Sequence, residues 1–174
     1  MSGSAERSEG HGIRAAARLG LAASALLALV GLCGAAQAAA PRYFFEADTV
    51  RGVPPTGPTG APCVLSSQFK HKEEVVWRVR VLDAKTGKSV DDKGLKSLAI
   101  EMSNGQKVEM RFGEHPNRGP KTDRFWSGAW SVPESFPTGS LTYKVIATDK
   151  QGKATSWEPF KIAPSQLTVI ADAK

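Results

Sequence analysis

From Val75 to Val81 apolar and charged residues alternate, with Val75, Trp77, Val79 and Val81 on one parity and Arg78 and Arg80 on the other. A period of two marks a strand with one buried face, so this segment is the candidate central strand, with Trp77 as its core anchor. A second run covers Leu141 to Thr148. There Leu141, Tyr143, Val145 and Ala147 alternate with Thr142, Lys144, Ile146 and Thr148, between turns at Pro137-Thr138-Gly139 and Asp149-Lys150-Gln151-Gly152. Phe125 to Val132 places Trp126, Trp130 and Val132 on one face with Gly128 between them. After Gly152 the chain returns as Thr155 to Ile162, and parity sets Trp157 opposite Val145. Phe160 and Ile162 fall on the other parity, which predicts a bulge or break near Pro159, as on an edge strand. Leu167 to Ala171 adds a last short strand. No segment carries a helical period of useful length.

Leu98 to Phe112 is a hairpin whose register can be decided by burial. A two-residue turn at Asn104-Gly105 would set Leu98, Ile100 and Met102 against Arg111, Glu109 and Lys107. A three-residue loop, Ser103-Asn104-Gly105, pairs Leu98 with Met110, Ile100 with Val108 and Met102 with Gln106. It also puts Gly105 where a left-handed residue is needed. A one-residue slip turns a whole strand over, so the second register is the prediction. Upstream, Cys63 to Phe69 alternates with Cys63, Leu65, Ser67 and Phe69 on one face, before a charged turn at Lys70-His71-Lys72-Glu73. Asp83 to Gly87 ends the central strand, and the polar segment to Ser97 reads as a loop. Gly113 to Asp123, rich in glycine and proline, reads as a long loop. Tyr43 to Ala47 reads as a short strand or docking arm. Four prolines and three glycines between Gly52 and Pro62 rule out a central strand there and predict a fairly stiff connector.

The order turn, Tyr143-x-Val145-x-Ala147, turn resembles the penultimate strand of fibronectin type III and other immunoglobulin-like folds. The resemblance covers roughly the last two thirds of the chain. It implies an all-β, antiparallel immunoglobulin-like β-sandwich of about seven to nine strands, and a Tyr143 hydroxyl that anchors the corner. Such folds host many unrelated functions, so the resemblance fixes no activity.

The first residues change the picture of compartment. Arg14 and Arg18 precede an apolar run from Leu19 to Leu32, and Ala36-Gln37-Ala38 has the form of a signal peptidase site. These are the parts of a secretory signal peptide, and the run is short for a membrane span. The expected organisation is a signal peptide over 1–38, an arm and Pro/Gly linker over 39–62, and the sandwich over 63–174. Cleavage after Ala38 leaves 136 of the 174 residues and lowers the formal charge from +6 to +5. The product is periplasmic or secreted, with no transmembrane span. Its lysines, among them Lys70, Lys72, Lys85, Lys88, Lys93 and Lys96, are dispersed and interleaved with carboxylates. Nucleic-acid binding would want a concentrated basic stripe.

Candidate chemistry is sparse. After cleavage two histidines remain, His71 and His115, with no nucleophile elbow, phosphate loop or zinc-protease motif, so the chain reads as no enzyme. The soft or borderline metal ligands are Cys63, His71, His115, Met110 and Met102, which would suit copper as Cu(I), or zinc. Cys63 becomes the only cysteine, and its parity with Leu65 and Phe69 predicts a packed thiol rather than a ligand. Trp126 and Trp130 share a face and could stack on a sugar, although core packing is the commoner use of such residues. The leading expectation is a non-catalytic accessory module that binds another periplasmic or extracellular protein, with Tyr43, Phe44 and Phe45 as the contact. The alternatives are a periplasmic copper carrier using Cys63 with His or Met, and a carbohydrate-binding module.

Overall fold

A computed structural model describes residues 41–54, 62–115, 119–121, 123–162 and 165–171. The expected signal peptide and most of the Pro/Gly connector lie outside the described residues. The chain is all-β there, in the order β1 (Tyr43–Arg51), β2 (Gln68–Phe69), β3 (Glu74–Asp83), β4 (Leu95–Met102), β5 (Lys107–Glu109), β6 (Arg111–His115), β7 (Asp123–Ser131), β8 (Gly139–Leu141), β9 (Tyr143–Asp149), β10 (Ala154–Trp157) and β11 (Leu167–Val169). Two antiparallel four-stranded sheets run β1-β3-β7-β6 and β10-β9-β4-β5, and a three-stranded sheet runs β2-β11-β8. No helix among the described residues is long and apolar enough to cross a membrane.

The alternating residues of the two larger sheets meet in one core. β3 is central to its sheet and buries Val75, Trp77, Val79 and Val81 completely, as its pattern predicts. From the other sheet come Leu98, Ile100, Met102, Tyr143, Val145 and Ala147. Trp77 meets Tyr143 edge-on, with ring centroids 5.8 Å apart. The Tyr143 hydroxyl makes no hydrogen bond among the described residues, so the expected corner anchor is absent there and the ring serves as packing surface. Trp157 pairs with Val145 and β10 ends at that residue, just before Pro159, as the change of parity predicts.

The hairpin takes the three-residue loop. Ile100 pairs with Val108, the Met110 N–H donates to Leu98 O at 2.9 Å, the Met102 N–H donates to Gln106 O at 2.8 Å, and Gly105 has φ 86°. Beyond Glu109 the expected single strand divides. Lys107–Glu109 pairs with β4, whereas Arg111–His115 crosses to the other sheet and pairs with β7. Gly128 permits that crossing, because a Cβ there would lie 3.1 Å from Val108, 3.2 Å from Met110 and 3.3 Å from Glu109 O. Part of the expected long loop is therefore strand. The run from Leu141 divides likewise, with β8 in the small sheet and β9 in the large one.

The expected strand from Cys63 to Phe69 is reduced to Gln68–Phe69. Cys63 sits in a turn at φ 61°, which breaks the alternation; Phe69 is buried, and Val64 and Leu65 are exposed. The stretch at Tyr43 is no free arm. It is a full nine-residue edge strand, registered from Tyr43 opposite Asp83 to Arg51 opposite Val75, inside the same compact unit, Pro41–Lys174.

Candidate functional site

β1 and β10 are edge strands of the two large sheets, and they lie on the same side, since Phe45 stacks on Trp157 with centroids 6.4 Å apart. The direction of the backbone groups of β1 can be read from its ends. Arg42 O accepts from Ala84 N–H, and Gly52 N–H donates to Glu74 O, so even-numbered residues bond inward to β3. Arg51 N–H donates to Val64 O at 3.0 Å, and Thr49 O accepts from Ser66 N–H at 3.1 Å, so odd-numbered residues bond outward. The register between has no bulge. Segment 63–66 thus covers the outer edge at Thr49 and Arg51. At Tyr43, Phe45 and Ala47 the outward N–H and C=O groups have no partner among the described residues. Those groups are the usual template for an added strand.

The uncovered edge opens into a groove of about 560 Å³ lined by Phe45, Ala47, Leu65, Trp157, Pro159 and Phe160. Leu65 is 66% and Phe160 80% exposed. The off-parity position of Phe160 after Trp157 was the sequence signal for this wall. Leu65 carries no such signal, because its parity with Cys63 and Phe69 points it inward. Of the three aromatic residues expected to meet a partner, Tyr43 is buried, Phe45 is half-buried against Trp157, and Phe44 is exposed.

The outer face of the β1 sheet is held by cross-strand ion pairs. Arg78 grips Asp48 with two hydrogen bonds of 2.7 Å, and Arg80 pairs with Glu46 at 3.5 Å and with Asp123. The hydrogen bond to Asp48 holds the Arg78 guanidinium further above its already high ordinary value. On the core side, burial first and the Asp48 charge second push Tyr143 up to about 12.

Cys63 is exposed, contrary to the packed thiol expected, because the turn at Pro62-Cys63 turns it off the strand parity. It shares with His115 a hollow of about 500 Å³ over the outer sheet face, beside Val76, Arg78, Phe112 and Phe125. His115 also tilts against the Phe125 ring at 5.3 Å. The remaining metal candidates stand elsewhere. His71 Nε2 is 2.8 Å from Phe136 O, and Met110 and Met102 are buried in the core. Among the described residues no three His, Cys, Asp or Glu side chains gather as a metal-holding group. Trp126 is buried with its indole N–H donating to Val90 O at 3.0 Å, so it offers no stacking face; Trp130 packs edge-on against Phe136. No family model, curated protein or solved structure matches this chain.

Proposed function

We propose that the chain is an exported, non-catalytic β-sandwich module of immunoglobulin-like type that binds another protein in the periplasm or outside the cell. The strand order supports the architecture. With β1, β3, β4, β5, β6, β7, β9 and β10 taken as strands A, B, C, C′, D, E, F and G, the sheets become ABED and GFCC′, the arrangement of that fold. Trp77 and Tyr143 then meet across strands B and F, where immunoglobulin domains place a disulfide. The basic flank, apolar run and Ala36-Gln37-Ala38 support export.

One observation carries the binding role: the groove in which exposed Leu65 and Phe160 stand beside an uncovered strand edge. Exposed apolar side chains next to unpaired backbone groups suit an extended segment of a partner, whose main chain gives affinity and whose side chains fill the groove. The double variant Leu65→Asp/Phe160→Asp is expected to lose a partner that co-purifies with the exported wild-type protein. Its melting temperature should stay within about 2–4 °C, because both side chains are already in water. Unchanged co-purification would refute the groove as the binding surface.

The shared hollow of Cys63 and His115 favours a second reading, a Cu(I) carrier that uses those two residues without His71 or Met110. It predicts stoichiometric Cu(I) uptake by the wild type that is lost in both Cys63→Ser and His115→Ala.

A further inference from the structure

The uncovered part of β1 has a chemical symmetry of its own. Along the outward-facing alternation of β1 the chain reads Phe44, Glu46, Asp48, with Phe44 exposed at 56%, while Arg42, just before the strand, turns its guanidinium back to Asp149 and over the Tyr43 ring. The odd-numbered residues between them present N–H and C=O groups that have no partner among the described residues. We propose that this edge pairs with the same edge of a second copy, antiparallel, about a two-fold axis through Phe44. The proposal rests on the protein-binding reading above and names the partner of the β1 part of that surface.

Charge selects the register. Outward-bonding residues must face outward-bonding residues, so only pairings that join odd to odd are available. An axis at Glu46 would set Glu46 directly against its copy. An axis at Ala47 would set Glu46 against Asp48 of the other chain. Like charges directly opposite destabilise a ladder. An axis at Phe45 sets Phe44 against Glu46, an apolar group against a charge. The axis at Phe44 alone stacks Phe44 on its copy and sets no like charges opposite each other. Glu46 is more than half exposed beside Arg80, so in this register its carboxylate stays in solvent with no acidic residue opposite.

In this register Tyr43 and Phe45 of one chain exchange N–H···O bonds with Phe45 and Tyr43 of the other. Four main-chain hydrogen bonds result, and each Ala47 N–H donates to Pro41 O of the other chain for two more. Pro41 then falls opposite Ala47, and its missing N–H ends the ladder. The two β1-β3-β7-β6 sheets become one continuous eight-stranded sheet across the axis. Such an interface is isologous, as a two-fold requires, and small, so association should be weak.

Phe44 faces its copy at a non-hydrogen-bonded position, where opposed Cα atoms lie about 4.5 Å apart, inside the range a disulfide bridges. The test therefore places single cysteines in a Cys33→Ser/Cys63→Ser background of the full chain. Under diamide, which is reduced as two thiols are oxidised, Phe44→Cys should form a disulfide-linked dimer and Glu46→Cys should not. Sedimentation equilibrium should show a concentration-dependent dimer at protein concentrations on the order of 100 µM, lost in Phe44→Asp, as the weak-interface class implies. A wild type that stays monomeric, or a cross-link at position 46 in preference to 44, would overturn the proposal. The two readings fail separately. Leu65→Asp/Phe160→Asp should remain dimeric, so a monomeric wild type that still captures its partner through the groove removes the dimer and leaves the binding function.

Discussion

Asp149 is almost wholly buried, and its carboxylate accepts from the N–H groups of Gln151 at 2.9 Å and Lys153 at 2.8 Å while Arg42 pairs with it from outside. The sequence marks this residue only as the start of a turn. What makes it structural is that the turn, the end of β9 and the chain entering β1 all depend on one acceptor. Asp149→Ala should leave two turn N–H groups and a guanidinium without their partner and cost about 2–3 kcal/mol in urea denaturation. Tyr143 gives a pH test. Its phenol ionises near 10 in an unfolded chain and is pushed up to about 12 by burial here. A raised value means the folded state resists ionisation, so this contribution is intact below pH 10 and is lost as pH rises towards 12. The difference amounts to about 2–3 kcal/mol across that window. Tyr143→Phe should melt close to the wild type at pH 8, since no hydroxyl hydrogen bond is lost, and should lose less stability between pH 10 and 12. Cys63 was misplaced by parity reasoning because a left-handed turn residue is invisible to alternation. It should react with a chromogenic thiol reagent in the folded protein at the rate of an accessible thiol.

At the scale of elements, the central strand, the three-residue hairpin register, the pairing of Trp157 with Val145 and the short last strand were all legible. In each, alternation and turn chemistry agree on one answer. The divisions at Met110 and Thr142 were not legible, because a strand that changes sheets keeps its alternation while exchanging its partner. Gly128 was noticed only as a gap between two tryptophans. Its meaning lies in the chain that crosses it, and Gly128→Ala should force Val108 and Met110 aside. A destabilisation of about 1–3 kcal/mol is expected from overpacking at that crossing, measured by thermal or denaturant melts. A neutral result would mean that β5 and β6 yield without strain.

For the whole molecule, the question is which edges are closed. Among the described residues, segment 63–66 covers β1 at Thr49 and Arg51 and nothing covers Tyr43, Phe45 and Ala47. The sequence pattern marks Tyr43 to Phe45 as a contact on a short strand or docking arm, and the groove walls Leu65 and Phe160 carry no signal that joins them to it. Their proximity to β1 arises from the connection after β10 and the turn before β2, which carry no periodic signal. We propose that this open side is where other chains dock. Hydrogen exchange resolved to single amides of β1 tests it most directly. In dilute protein, Phe44 and Glu46 amides should be protected by β3 while Phe45 and Ala47 exchange freely. On binding a partner chain the second pair should become protected. Protection of Phe45 and Ala47 in the dilute, unbound protein, or free exchange that binding leaves unchanged, would contradict the account.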